Sequence, residues 1–207
     1  MATAVKICGI TRSEDALAAA RAGSHAVGLM FYRRSARCVT AEQAVRIVRA
    51  LPPFVTPVGV FVNPSAAEVG KITARVPLAL LQFHGEEPRD FCGQFGLPYV
   101  KALRVKAGVD LLQYARAYQD ARGLLLDAFV EGSRGGTGVA FDWGLVPPRL
   151  PLPVILSGGL NAANVAAAIR RVRPWAVDVS SGVEAAKGVK DAAKIAAFIA
   201  EVRNADV

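Results

Sequence analysis

Cysteine and histidine are scarce in this sequence, and their spacing argues against disulfide bonds and against a metal site. The three cysteines Cys8, Cys38 and Cys92 are odd in number and unevenly spaced, which argues against a disulfide framework and against a zinc site built on Cys-x-x-Cys pairs. His25 precedes an apolar run and has no partner at ligand spacing. We therefore predict that His25 is structural, that no metal is bound, and that the protein works in the reducing cytoplasm.

Long uninterrupted hydrophobic segments are also missing. Residues 1–5 show no basic segment followed by an apolar stretch, so we predict no secretory signal. Residues 150–169 contain no charged side chain, but prolines, paired glycines and asparagines interrupt them. That composition is typical of a strand, a turn and a helix, and it predicts no membrane span.

Basic residues outnumber acidic ones, with 25 Lys and Arg against 17 Asp and Glu and a formal net charge of +8. The arginines are scattered, and no basic cluster alternates with aromatic side chains as a nucleic-acid stacking surface requires. We therefore predict no nucleic-acid partner. A positive field attracts small anions, so phosphates and carboxylates are the expected ligands.

Short apolar runs alternate with amphipathic stretches along the whole chain, as in successive βα units. The runs lie at residues 4–8, 26–31, 57–62, 79–82, 99–103, 123–127, 154–157 and 176–179. Eight such units predict an α/β fold, a single (β/α)₈ barrel domain spanning residues 1–207. A doubly wound open sheet is the alternative, but it usually carries a G-x-G-x-x-G motif after its first strand, which residues 8–13 lack.

Several helix starts carry recognisable signals. Ser13 is followed by two acidic residues and an Ala/Leu run, which predicts a capped helix, and Thr40 is followed by a similar pattern. Ser65 and Pro88 also suit turns from a strand into a helix.

Cys8 follows the first apolar run, where the carboxyl end of a strand would face a ligand. A free cysteine is often only a small buried hydrophobe, so the position alone leaves both interpretations open. A thiol that acts as a base near neutral pH needs a nearby positive charge or amide donors. Lys6 shares the face of Cys8 because side chains alternate along a strand, and its role stays open.

Asp127 ends the sixth apolar run, where its carboxyl group either acts as an acid or caps a loop. A glycine-rich segment follows at Gly135, Gly136, Thr137 and Gly138. It lacks the lysine and the spacing of a P-loop. We predict a mobile lid over a ligand, with a flexible connector as the alternative.

Two segments near the C-terminus have the composition of phosphate-binding loops. Gly158 and Gly159 follow the seventh run, and Ser180, Ser181 and Gly182 follow the eighth. Glycines let the backbone approach an anion, and a following helix start offers free N–H groups. Barrels often bind phosphate after strands seven and eight, so we predict a phosphate site here, with plain tight turns as the alternative.

Other polar side chains follow the second and fourth runs. Residues 32–37 contain three arginines, any of which can pair a guanidinium with a carboxylate or remain solvated. Gln82 and His84 occupy alternate positions and are expected to point together toward the barrel mouth.

The ordered set of these motifs resembles the phosphoribosylanthranilate isomerase family of tryptophan biosynthesis. The matching segments are KICGITR (6–12), YxxSxR (32–37), VGVFVN (58–63), LQFHGEE (81–87), LLLDA (124–128), GGTGxxFDW (135–143), LSGGLNxxNV (156–165) and VDVSSGVE (177–184). Each motif is weak alone, but the ordered set spans nearly the whole chain. Arg33 stands where the family commonly has a proline, and this departure affects only the stiffness of that loop.

The resemblance implies a cofactor-free Amadori rearrangement of N-(5-phosphoribosyl)anthranilate. It implies that Cys8 is the general base, that Asp127 is the general acid, and that Arg37 binds the anthranilate side together with Gln82 and His84. The expected partner is a small molecule with phosphate and carboxylate groups, and the expected assembly is a monomer or a homodimer.

Two alternatives remain. A sister phosphate-binding barrel of histidine or tryptophan biosynthesis would keep the phosphate loops but use other acids and bases, and such enzymes lack the KICGITR opening. A non-catalytic sugar-phosphate-binding barrel would need neither Cys8 nor Asp127.

Overall fold

Eight parallel strands form a closed barrel in the computed structural model, which describes residues 2–128 and 141–205. The barrel strands are β1 (Ala4–Cys8), β2 (Ala26–Met30), β3 (Thr56–Phe61), β4 (Leu80–Phe83), β5 (Tyr99–Val105), β6 (Leu124–Ala128), β7 (Val154–Leu156) and β8 (Ala176–Val179). The helices are α1 (Ser13–Ala22), α2 (Ala41–Ala50), α3 (Ala66–Thr73), α4 (Arg89–Gly93), α5 (Leu111–Ala117), α6 (Val165–Val172) and α7 (Ala192–Ala205). The predicted (β/α)₈ barrel is therefore confirmed.

The barrel closes between its first and last strands. β1 pairs with β2 on one side, where Cys8 lies opposite Gly28, and with β8 on the other, where Lys6 lies opposite Asp178. This register brings residues from the two ends of the chain side by side. Side chains alternate along β1, so Lys6 and Cys8 share the inner face while Ile7 packs in the apolar core outside the strands.

The observed strands lie close to the predicted runs, and the differences occur at their ends. β5 continues two residues beyond the predicted end, to Val105. A small antiparallel hairpin after β8, formed by β9 (Glu184–Ala186) and β10 (Val189–Lys190), was not predicted. Between β6 and β7, the described residues form a 3₁₀ turn at Trp143–Leu145.

The predicted cap of α2 and the predicted turn into α3 are confirmed, and the predicted cap of α1 is wrong. Thr40 and Ser65 each form a capping box with the residue three positions later. Ser13 instead lies inside α1, whose N-cap is Arg12, and the Arg12 side chain makes no capping bond. Arg12 pairs with Asp15 in the first turn, so this charge pair accompanies the start of the helix without a serine cap.

The helices cover the outer faces of the strands with apolar side chains. A large core between the strands and the helices includes Ile7, Phe83 and Phe198, and a smaller cluster lies around β5, α5 and β6. Within the described ranges, no helix combines the length and hydropathy that a membrane crossing requires.

Candidate active site

A cavity of about 750 Å³ opens at the carboxyl ends of the strands, where ligands bind in such barrels. Its wall includes the predicted residues Cys8, Arg37, Gln82, His84, Asp127, Gly158, Gly159, Ser180 and Ser181. A second cavity, of about 900 Å³, lies at the opposite end of the barrel around Thr3, Val154 and Trp175. None of the predicted site residues within the described ranges lines it, so the first cavity is the candidate active site.

Cys8 lies at the end of β1, buried against the neighbouring strand. Only 6% of the residue is exposed. A side chain at Gly28 would force its neighbours to shift, because a Cβ at that position would lie 2.7 Å from the Cys8 Sγ and 3.2 Å from the Lys6 Cε. The missing side chain of Gly28 thus makes the space in which the thiol and the lysine meet.

Lys6 forms a buried ion pair directly below the thiol. Its Nζ lies 2.8 Å from the Asp178 Oδ1, and the Ser157 hydroxyl donates to the other Asp178 oxygen at 3.4 Å. Burial alone would lower the pKa of Lys6, but the charges of Asp178 and Cys8 raise it above its ordinary value. Burial also raises the pKa of the Cys8 thiol, and Lys6 partly opposes this effect.

Asp127 joins a chain of hydrogen bonds on the other side of the cavity. The His84 Nε2 lies 3.0 Å from the Asp127 Oδ2, and the Gln82 Nε2 lies 3.0 Å from the His84 Nδ1. With the amide donating to Nδ1, the ring carries its proton on Nε2 and donates it to Asp127. The Ala128 N–H donates to the other carboxylate oxygen. In this arrangement the buried Gln82 Oε1 has no hydrogen-bond partner in the described structure.

A second buried ion pair fixes the loop that follows His84. The Lys101 Nζ lies 3.0 Å from a Glu87 carboxylate oxygen and donates to the Gly85 carbonyl at 2.6 Å. Glu87 also accepts from the N–H groups of Asn63 and Gly85. Both side chains are almost fully buried, so this pair holds the loops after β3 and β4 beside the His84–Asp127 bond.

The two glycine-containing loops lie against each other at the rim. Gly158 and Gly159 have left-handed φ angles of 83° and 65°. A Cβ on Gly182 would lie 2.0 Å from the Leu160 carbonyl oxygen, so the loop after β8 packs directly on the loop after β7. Ser180 and Ser181 complete the rim, with a short 3₁₀ helix beginning at Ser181. Such a concave, amide-rich rim suits an anionic group.

Arg37 is held in place by a carboxylate of the β9–β10 hairpin. Its Nε and Nη2 each lie 2.7 Å from a different Glu184 oxygen, and the hydrogen bonds raise the pKa of Arg37. Lys190 shares the same carboxylate at 2.9 Å. Although burial alone would raise the pKa of Glu184, Arg37 and Lys190 lower it below its ordinary value. Burial lowers the pKa of Lys190.

The structure thus brings most predicted site residues around one cavity. Gly182 does not line the cavity, and the predicted lid at Gly135, Gly136, Thr137 and Gly138 lies outside the described residues. Asp178, Glu184 and Lys190 were not predicted as site residues from the sequence. His25 accepts a hydrogen bond from the Val5 N–H on Nδ1, and across residues 2–128 and 141–205 no His, Cys, Asp and Glu cluster has the geometry of a metal site.

A parallel barrel with a thiol, a carboxylate and two glycine-containing loops around one mouth defines a TIM-barrel enzyme of the phosphate-binding type. Residues 5–201 match the family model described as N-(5'phosphoribosyl)anthranilate (PRA) isomerase. The chain therefore belongs to the N-(5'-phosphoribosyl)anthranilate isomerase family, isomerases of tryptophan biosynthesis.

Similar proteins agree with this assignment over nearly their full length. The N-(5'-phosphoribosyl)anthranilate isomerase of Nitrosospira multiformis is 61% identical over 199 residues, 96% of each chain. That of Azotobacter vinelandii is 62% identical over 200 residues, 97% of each chain. A crystal structure of phosphoribosyl anthranilate isomerase from Thermotoga maritima aligns with a TM-score of 0.90 at 43% identity, covering 98% of this chain and 99% of that one.

Another similar structure holds a ligand. It is phosphoribosyl anthranilate isomerase in complex with reduced 1-(o-carboxyphenylamino)-1-deoxyribulose 5-phosphate, with a TM-score of 0.87 and 42% identity over 98% of this chain and 99% of that one. A further Thermotoga maritima structure describes monomers generated from a dimeric phosphoribosylanthranilate isomerase. Its TM-score is 0.87 at 41% identity, and it covers 98% of this chain and 99% of that chain.

Proposed function

We propose that this chain converts N-(5-phosphoribosyl)anthranilate to 1-(2-carboxyphenylamino)-1-deoxyribulose 5-phosphate by a cofactor-free Amadori rearrangement, with Cys8 as the base and Asp127 as the acid. One observation carries the assignment of these roles. Cys8 at the end of β1 and Asp127 in β6 line the same cavity, on strands that are not neighbours in the barrel. A sugar bound between them would meet a proton acceptor on one side and a proton donor on the other.

The proposed proton transfers balance over one turnover. Asp127 gives a proton to the ring oxygen, and the ring opens to a protonated Schiff base. The Cys8 thiolate then removes the C2′ proton, which leaves a neutral enolamine, and the enol tautomerises to the aminoketone. A proton returning from Cys8 to Asp127 restores the starting state, so no oxidant or reductant is consumed.

The remaining polar groups bind and orient the substrate. The loops around Gly158, Gly159 and Ser180–Gly182 would hold the phosphate through backbone N–H groups and the serine hydroxyls. Arg37 would bind the anthranilate carboxylate through the guanidinium edge that Glu184 leaves open. Because Glu184 already fixes the guanidinium, less side-chain entropy is lost on binding.

Gln82 and His84 would complete the anthranilate side of the site. The His84 Nε2 already lies 3.0 Å from the Asp127 Oδ2, so His84 would also orient the acid. The ligand of the similar complex, a reduced carboxyphenylamino-deoxyribulose phosphate, carries both of the anionic groups that this arrangement would bind.

Single variants of the two proton carriers test the proposal. We expect Cys8→Ala and Asp127→Asn to lose about 10²–10⁴-fold in kcat while binding of a product analogue is retained. Cys38→Ser, a cysteine outside the cavity, is the matched control and should turn over like the parent protein. Turnover is followed by loss of substrate fluorescence, with the next enzyme of the pathway confirming the product.

Two results would contradict the proposal. Undiminished turnover in both variants would exclude Cys8 as the base and Asp127 as the acid. Binding without any turnover by the parent protein would instead favour the non-catalytic barrel.

We propose further that the assembly is a monomer or a homodimer, since a similar enzyme is described as dimeric. Light scattering across a concentration series distinguishes the two states, and a larger oligomer would contradict both.

A further inference from the structure

We propose that Lys6 is a positioning residue that stabilises the thiolate form of Cys8 against the effect of burial, and that Asp178 opposes Lys6. The inference rests on the proposed role of Cys8 as the base. It assigns a function to a buried ion pair that contributes no proton to the rearrangement itself.

The first support is the position of Lys6. It lies two residues before Cys8 on the inner face of β1, and its exposed fraction is 7%. The Lys6 Cε and the Cys8 Sγ both lie within 3.2 Å of the point where a Gly28 Cβ would be. With β2 lacking a side chain there, nothing from that strand separates the ammonium group from the sulfur.

The charged groups around Cys8 also favour its thiolate form. The charged groups of the described chain that interact with Cys8, or pair with a group that does, are Lys6 on β1, Asp178 on β8, Arg37 after β2, and Glu184 and Lys190 on the hairpin. They comprise three cations and two carboxylates. His84 and Asp127 line the same cavity and pair with each other, and the cations Arg34 and Lys187 also line it. A Cys8 thiolate would therefore balance the three cations, whereas a neutral thiol leaves one positive charge in excess.

The third support is the direction in which each neighbour acts on the sulfur. Burial raises the pKa of Cys8 and is the largest influence. Lys6 lowers that pKa more than Lys190 does, and Asp178 raises it. Lys6 is therefore the main group that opposes burial, while the Asp178 carboxylate, which pairs with Lys6 at 2.8 Å, acts on the Cys8 pKa in the opposite direction.

Alkylation of Cys8 by iodoacetamide measures this coupling without relying on turnover. The rate is followed against pH by mass spectrometry of the Cys8 peptide, which separates it from the peptides of Cys38 and Cys92. In Lys6→Met we expect the midpoint to rise by about one pH unit, so that labelling at pH 7 slows about tenfold. In Asp178→Asn we expect the opposite shift and faster labelling at pH 7.

The opposite shifts of the alkylation midpoint in Lys6→Met and Asp178→Asn distinguish this proposal from a purely structural role of the ion pair. Loss of packing alone would expose Cys8 in both variants and accelerate labelling in both. Lys6→Arg keeps the positive charge and should leave the midpoint near that of the parent protein. The matched control is Lys101→Met/Glu87→Gln, which removes another buried lysine–carboxylate pair and should not move the Cys8 midpoint.

The outcome decides the proposal even if one variant folds poorly. Each variant is first checked by urea denaturation, and if Lys6→Met does not fold, the midpoint in Lys6→Gln is the deciding measurement, because Asp178 also acts on Cys8 directly. An unchanged midpoint in Asp178→Asn, or equal midpoints in the parent protein and Lys6→Met, would overturn the role of Lys6. Full turnover by Cys8→Ala would overturn the proposed base but would leave the alkylation result intact, so the two failures are distinguishable.

Discussion

The buried pair of Lys101 and Glu87 allows a quantitative test of how this barrel holds its loops. The Lys101 side chain is 0% exposed and that of Glu87 is 2% exposed. Lys101→Met leaves the Glu87 carboxylate with its backbone N–H donors but without a counter-charge. Glu87→Gln leaves the Lys101 ammonium with carbonyl oxygens only, chiefly that of Gly85.

Each single variant should lower the free energy of unfolding by about 3–5 kcal/mol, the usual cost of removing one partner of a buried ion pair. Domains of ordinary stability unfold with about 5–15 kcal/mol, so the variants should remain folded but much weakened. The double variant Lys101→Met/Glu87→Gln contains no uncompensated charge. It should therefore lose less than the sum of the single losses, with a coupling free energy of at least about 2 kcal/mol.

Urea denaturation followed by circular dichroism gives the four unfolding free energies of this double-mutant cycle. The slope of the transition should stay the same in all four proteins, because the surface exposed on unfolding is unchanged. Additive losses, with no coupling between the two sites, would refute the reasoning. Single losses below about 1 kcal/mol would do the same, since they are typical of exposed pairs.

Two further predictions concern the site itself. In Gly28→Ala the new methyl group would lie 2.7 Å from the Cys8 Sγ, so we expect the thiol to shift and kcat to fall more than tenfold. The free energy of unfolding should fall by about 1–3 kcal/mol. Kinetics like those of the parent protein would contradict the close packing of Gly28 against Cys8. Burial raises the pKa of Cys8, so the fraction of Cys8 present as thiolate is still increasing above neutral pH. We therefore expect kcat/KM of the parent protein to rise between pH 7 and pH 9. A kcat/KM that falls over that range would exclude a rate limited by deprotonation of Cys8.

Much of the fold could be predicted because each βα unit carries its own signals. The eight strands were predicted from apolar runs that are separated by polar, Ala-rich stretches. β1 and β8 match their predicted bounds. Capping at Thr40 and Ser65 depends on residues within one turn of each helix. The start of α1 was misassigned because Ser13 resembles a cap, whereas the Arg12–Asp15 pair is not visible as a capping pattern.

The site was predictable only where one motif defines it. Cys8 and Asp127 end apolar runs, and their role was suggested by resemblance to a family. Asp178 and Glu184 were missed because their partners Lys6 and Arg37 are 172 and 147 positions away. No local sequence pattern predicts these two ion pairs, because they depend on barrel closure and on the β9–β10 hairpin.

The closure between β1 and β8 has a consequence for the order in which this molecule matures. Lys6 is translated before its carboxylate partner Asp178, which lies 172 positions further along the chain. Contacts so distant along the chain form late and slowly. A nascent chain can accordingly form its early βα units before Asp178 on β8 exists, so catalytic competence should arrive only after β8 and the β9–β10 hairpin have been added.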